Sequence, residues 1–133
     1  MITKNTYKNR ELTGKIIGCA MKEHRYLDNG FQEVVYQRAL SIELNLNNIS
    51  HEREKEMPLK YKGYDIGKRR VDFFVENKIL VEIKAVKQLE DVYLAQAINY
   101  PEAYGMEIGL LINSVNTSLQ FKRVMKPKRK NHS

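Results

Sequence analysis

Arg70-Val71-Asp72-Phe73-Phe74-Val75-Glu76-Asn77-Lys78-Ile79-Leu80-Val81-Glu82-Ile83-Lys84 is the stretch on which the fold turns. Val71, Phe73 and Val75 alternate with Arg70, Asp72 and Phe74, and Ile79, Val81 and Ile83 alternate with Leu80, Glu82 and Lys84. A period of two means two strands, and the short connection Glu76-Asn77-Lys78 makes them an antiparallel hairpin. Asp72, Glu82 and Lys84 interrupt an otherwise apolar lattice, and burying such groups is costly unless they are paired or bind a metal. Glu82 and Lys84 share one face with Leu80. Asp72 joins that face if all three residues Glu76 to Lys78 form the connection, which sets it opposite Glu82. A two-residue loop would put it on the other face.

With the first register, two carboxylates lie beside one ammonium. Adjacent anions repel, and a hard divalent cation, Mg²⁺ or Mn²⁺, relieves the repulsion by taking oxygen ligands at about 2.1 Å while keeping several waters. Such a site suits hydrolysis of a phosphodiester: the cation polarises the phosphate and acidifies a water, and Lys84 orients that water or stabilises developing charge. The plainer reading of the same residues is a lysine–carboxylate pair at the end of a sheet.

Outward from the hairpin, Leu12, Ile16, Ile17, Ala20 and Met21 predict a first helix over roughly 10–25, ended by Asp28-Asn29-Gly30. Val34, Val35, Leu40, Ile42, Leu44 and Leu46 predict a second, broadly buried helix from Phe31 that stops at Asn47 and Asn48. Met57, Leu59 and Tyr61 alternate as a strand that Pro58 confines to an edge, with a turn at Lys62-Gly63 or Tyr64-Asp65. Leu89 to Tyr104 carries the period of a third helix, which Pro101 is expected to kink or end near Tyr100. Ile108 to Asn113 and Leu119 to Val124 read as two more strands, the first apolar enough to lie inside the sheet. The order predicts an α/β (mixed α+β) single domain: a mixed sheet flanked by helices, with one parallel crossover through the third helix.

The acid on one strand and acid-x-lysine on its neighbour, Asp72 and Glu82-Ile83-Lys84, resemble the signature of the PD-(D/E)XK nuclease superfamily, with Val71 where its usual proline stands. Gly30-Phe31-Gln32-Glu33-Val34-Val35-Tyr36 matches Gly-x-x-Glu-x-x-Tyr, and the chain is similar to the GxxExxY protein family within that superfamily. The resemblance runs from about Gly14 to Val124 through Tyr61-Lys62-Gly63, Ile66-Gly67, Val81-Glu82-Ile83-Lys84-Ala85-Val86, Ala95-Gln96, Asn99-Tyr100 and Gly109-Leu110-Leu111-Ile112-Asn113. Pro101 replaces the family's usual leucine. The resemblance implies a restriction-endonuclease-like fold, a metal bound by Asp72, Glu82 and the helix-borne Glu33, and Lys84 as the catalytic lysine. Gln96 and Tyr100 are similar to the Gln-x-x-x-Tyr motif of RecB-type nucleases, which implies a glutamine facing the active site and a supporting tyrosine; as an ordinary helix pair they are core or cap. Glu33 and Tyr36, three apart on a helix, share a face, and Tyr36 is a candidate support for the site.

Composition bounds the rest. The chain has 133 residues, 42% hydrophobic and 29% charged, with a single cysteine and a formal charge of +7. This is one core-forming domain, expected over 1–125, followed by a basic tail, 126–133. Up to residue 114 there are 17 basic and 16 acidic residues, and after it six basic and no acidic ones. These six, Lys122, Arg123, Lys126, Lys128, Arg129 and Lys130, are either a solvated terminus or phosphate contacts, as are Arg69 and Arg70 before the hairpin. Lone Cys19 excludes an intrachain disulfide and reads as a small core residue, and His24, His51 and His132 lack metal-ligand spacing. No apolar run approaches the roughly 18–20 residues of a membrane span, and Met1 to Lys8 lack the apolar centre of a secretory signal. A cytoplasmic, metal-dependent nuclease with nucleic acid as its partner, DNA rather than RNA, is expected. The rival is a catalytically idle module of the same fold that binds nucleic acid or a protein. So short a chain leaves specificity to a homodimer or a partner protein.

Overall fold

The computed structural model describes residues 4–88, 90, 93, 108–114 and 118–125 of the chain. Helix α1 (Lys4–Leu27) starts six residues before its expected start near residue 10, because the polar run ahead of that point carries no apolar period. It ends where Asp28 (φ 65°) and Gly30 (φ 103°) take left-handed conformations. Asp tolerates that region, and glycine enters it without steric cost. Helix α2 (Glu33–Leu46) opens with an acid in its first turn, favourably placed against the helix dipole. Asn47 closes it, donating both its backbone N–H (3.1 Å) and its side-chain amide (2.8 Å) to Glu43 O.

The expected broad burial of α2 is corrected. Tyr36, Leu40 and Leu44 form a four-residue row that is fully buried, whereas Ile42 and Leu46 are 61% and 71% exposed on the opposite side.

Five strands follow: β1 (His51–Tyr61), β2 (Tyr64–Val75), β3 (Ile79–Lys84), β4 (Ile108–Asn113) and β5 (Gln120–Met125). They form one sheet in the order β1-β2-β3-β4-β5. Only the β3–β4 pairing is parallel, which is the expected crossover. β1 lies at the edge, where Pro58 costs no ladder bond, but it begins at His51 rather than near Met57. Its first half is a charged run whose strand character comes from pairing with β2, not from apolar alternation. Lys62 (φ 48°) and Gly63 (φ 84°) make the two-residue turn between β1 and β2.

Both helices pack on one face of the sheet. Ile16, Ile17 and Ala20 of α1 and the Tyr36–Leu40–Leu44 row meet Phe73, Val75, Ile79, Val81, Ile83, Leu110 and Ile112. Each fully buried side chain of this size contributes roughly 1.5–3 kcal/mol. Cys19 belongs to this core, as expected. A smaller cluster holds Met57, Val71, Phe74 and Leu80. The third helix expected over 89–104, with Gln96, Tyr100 and Pro101, lies outside the described residues apart from Glu90 and Tyr93, as does the tail 126–133. Among the described residues no helix is long and apolar enough to cross a membrane.

Candidate active site

The hairpin register is the three-residue one. Val75 pairs with Ile79, Phe74 with Leu80 and Phe73 with Val81, so the next step faces Asp72 with Glu82. There the backbone ladder stops and the Asp72 side chain takes over. Its Oδ2 accepts the Ile83 N–H at 2.6 Å, bridging the gap where β2 leaves β3. Its Oδ1 accepts from Gln37 Nε2 of α2 at 2.9 Å. One carboxylate therefore ties β2, β3 and α2 together, with donors on both oxygens.

Glu82 has the opposite environment. Its Oε1 is buried with no hydrogen-bond partner among the described residues. Burial first, and then the Asp72 carboxylate, push its pKa from 4.5 to about 8, against a smaller lowering by Lys84. At neutral pH Glu82 therefore holds a proton in this crowded carboxyl pair. This is the donor set a divalent cation fits: two adjacent carboxylates, one with an orphaned oxygen, and a charge deficit that a cation cancels better than a proton.

Glu33, the expected third acid, sits in the first turn of α2, exposed, and its Oε1 accepts the Ala85 N–H at 3.1 Å just past the end of β3. It flanks the pair without closing a triad: among the described residues no three Asp, Glu, His or Cys side chains converge as a metal-binding group. Tyr36, the expected support, lies in the core behind the start of α2. Tyr36 is fully buried, its hydroxyl donates to Asp28 O (2.6 Å) and accepts from Phe31 N (3.3 Å), and its ring packs against His24 and Phe31. It fastens the 28–31 loop to the core and so sets where α2 begins.

The residue on Glu33's face is Gln37, one full turn later. It is 5% exposed, and its Oε1 is also buried without a hydrogen-bond partner among the described residues. Sequence reasoning missed it although the four-residue spacing from Glu33 was available. A lone glutamine in an amphipathic helix carries no chemical signature until its partner is known.

Lys84 lies on the Glu82 face of β3, two residues on, with its Nζ 5.3 Å from the centroid of the Tyr93 ring. A cation over an aromatic face is held in place without being neutralised. The chain leaving β3 is clamped by fully buried Asn113. It donates through Nδ2 to Val86 O (2.8 Å) and Gln120 Oε1 (3.1 Å), and its Oδ1 accepts from Val86 N (3.0 Å).

The basic residues divide. Glu82 pairs with Leu111 and Leu111 with Lys122, so Lys122 stands on the carboxylate face two strands away, about 10 Å at normal strand spacing. Arg123 falls on the other face, donates to Thr13 Oγ1 of α1 at 3.0 Å and covers the Phe121 ring. It docks β5 onto α1. Arg70 reaches across to Glu54 (3.9 Å) and Glu56 (3.7 Å) of β1, and Arg69 pairs in register with Met57. Of the expected histidines, His51 is structural, with its ring nitrogens against Ile49 O (3.0 Å) and Ser41 Oγ (2.7 Å).

Comparison with known proteins agrees with this geometry. A crystal structure described as "Crystal structure of SSO0001" matches with a TM-score of 0.56 and 23% identity, over 73% of this chain and 52% of that one. The shared feature is the fold, and the chain spans about half the length of that protein. No curated protein matches the chain. The family model for the PD-(D/E)XK nuclease superfamily, whose members generally use divalent metals, matches residues 10–124. A match over most of the chain, centred on a hairpin that carries the acid and the acid-x-lysine, makes this protein a member of the PD-(D/E)XK nuclease superfamily.

Proposed function

We propose that this protein is a metal-dependent nuclease that hydrolyses phosphodiester bonds of nucleic acid, with DNA favoured over RNA and Mg²⁺ or Mn²⁺ as the cation. The observation that carries this reading is the juxtaposition of Asp72 and Glu82 in one register, with Lys84 on the face of Glu82. Asp72 and Glu82 would hold the cation, and Glu33 would reach it by releasing Ala85 N. When bound, such a cation polarises the scissile phosphate and lowers the pKa of a water beside it. The remaining work belongs to the chain. Gln37 and the Ile83 N–H fix both oxygens of Asp72, so the carboxylate is aimed before any ligand arrives. Lys84, held over Tyr93, keeps a positive charge next to the attacked phosphate, where it orients the nucleophilic water and offsets the charge that develops. Lys122, on the carboxylate face two strands away, would contact the substrate backbone, and Gln96 is proposed to position substrate or water.

A second reading, a nuclease fold that binds nucleic acid without cutting it, draws on one observation: both oxygens of Asp72 already carry donors. Plasmid and single-stranded DNA incubated with Mg²⁺, or with EDTA as the control, separate the two. Cleavage that requires the cation and is abolished in Asp72→Ala and Lys84→Ala supports the enzyme. Activity that survives both substitutions refutes the assignment, and binding without cleavage supports the idle module.

A further inference from the structure

The β1–β2 hairpin does more than carry Asp72. β2 pairs with β3 only over Phe73–Val75, yet its pairing with β1 continues for the rest of its length to Tyr61↔Tyr64. A two-stranded ribbon therefore extends past the sheet. Its outer part is unusual in two ways. Tyr61, Tyr64 and Ile66 are 58%, 74% and 64% exposed near the turn. Residues 57–70 hold five basic residues, Lys60, Lys62, Lys68, Arg69 and Arg70, against Asp65 alone, whereas the rest of the chain up to residue 114 holds 12 basic and 15 acidic residues. Glu54 and Glu56 offset Lys68 and Arg70 lower in the ribbon, so its excess of positive charge lies toward the tip, while the carboxylate site lies at its foot. Three of the cations are paired within the ribbon, Lys60 with Asp65, Lys68 with Glu56 (3.8 Å), and Arg70 with Glu54 and Glu56. Lys62, at the turn, makes no ion pair among the described residues and lies 5.4 Å from the Tyr61 ring centroid.

We propose that this ribbon is a duplex-DNA grip whose tip, Tyr61-Lys62-Gly63-Tyr64 with Ile66 and Lys68, enters the major groove beside the cleavage site. The proposal rests on the nuclease reading for the choice of ligand and deepens it by naming the substrate form. The B-form major groove, about 12 Å wide, admits a two-stranded ribbon, and the A-form groove of duplex RNA does not. Tyr64 lies eight residues up the strand from Asp72, roughly 26 Å at 3.3 Å per residue. That is about eight base pairs of duplex, so a helix held at the tip runs down to the carboxylates. Self-association through the same element is opposed by its outer edge. Pro58, alternating charges and a register break between Leu59 and Lys60 leave β1 unfit to pair with another strand.

The test measures binding of the full chain in EDTA, where nothing is cut, by fluorescence anisotropy of labelled DNA duplex, RNA duplex and single-stranded DNA across a salt series. Wild type is expected to prefer the DNA duplex. Lys62→Gln/Lys68→Gln is expected to weaken that binding on the order of tenfold and to lower the log–log salt slope by about 2. Tyr64→Ala/Ile66→Ser is expected to lose duplex preference at an unchanged salt slope. Circular dichroism melts matching wild type establish that the exposed substitutions leave the fold intact. Equal binding by wild type and both variants overturns the proposal, as does equal affinity for RNA duplex, or a wild-type dimer in sedimentation that these variants dissolve. Ribbon-dependent binding without cleavage in Mg²⁺ supports the grip and refutes only the nuclease reading. Cleavage with ribbon-independent binding does the reverse.

Discussion

In the absence of divalent cations the protein is expected to lose stability as pH rises from mildly acidic to mildly alkaline, and Glu82 is one of two groups responsible. Its pKa is about 8, lifted from 4.5 by burial and then by Asp72. The other is Glu23 on α1, which is 4% exposed, has Oε2 buried without a hydrogen-bond partner among the described residues, and is also pushed up to about 8, by burial and then by Glu43. A carboxyl whose folded pKa exceeds its unfolded one keeps a proton in the fold that it releases on unfolding, so the folded state binds more protons across that interval. The stability it confers is fully present below about 4.5 and is lost as pH rises through about 8. Within the interval each group contributes a slope of about −1.4 kcal/mol per pH unit, with an upper bound of roughly 5 kcal/mol across it before relaxation and water entry reduce the figure.

Urea melts in EDTA at a series of pH values measure the combined slope. Glu82→Gln and Glu23→Gln should each remove about half of it. Mg²⁺ then tells the two acids apart. If Asp72 and Glu82 take the cation, Mg²⁺ at a hundred times its dissociation constant restores about 2.7 kcal/mol at alkaline pH. The gain should appear in wild type and in Glu23→Gln, and vanish in Glu82→Gln. An unchanged slope in Glu82→Gln would refute the account of a protonated Glu82. Equal Mg²⁺ stabilisation of wild type and Glu82→Gln would refute the metal site.

Three further outcomes are expected. Gln37→Leu removes the 2.9 Å bond to Asp72 Oδ1, which should cost about 1.5–3 kcal/mol in a denaturant melt and lower nuclease activity on the order of 10–100-fold through a mis-aimed carboxylate. Tyr36→Phe breaks the hydroxyl bonds to Asp28 and Phe31 and should destabilise by about 1–3 kcal/mol while leaving the rate per folded molecule unchanged, as read by activity normalised to folded fraction. Lys122→Ala should weaken DNA binding and lower its salt slope by about 1, whereas Arg123→Ala should leave the slope intact and lower thermal stability by unfastening β5 from Thr13.

How much of this was legible in the sequence depends on what each signal encodes. Period two in Val71–Val75 and Ile79–Ile83 encodes burial on a pleated surface, but it left the connection open between two and three residues, and it is the pairing of Val75 with Ile79 that sets Asp72 opposite Glu82. The elements whose order comes from pairing and not from burial were harder to see: the charged start of β1 is mostly exposed and leaves no apolar period. Ile42 and Leu46 show the converse, since apolar residues on the outer side of α2 read as core until the row Tyr36–Leu40–Leu44 is known to face the sheet. At the site the same divide recurs. Acids and a lysine inside apolar strands stand out because burying charge is costly, and that cost is what made Asp72, Glu82 and Lys84 visible. Gln37 and Tyr93 carry no charge and break no pattern, yet one holds Asp72 and the other lies under Lys84. Residues that bear the reaction's charge therefore betray themselves in one dimension, and residues that aim them become identifiable only when the fold supplies their partners. Gln37, one turn beyond Glu33 on the face turned to the sheet, marks that boundary: its position was readable, and its role required Asp72 to arrive from a strand 35 residues away.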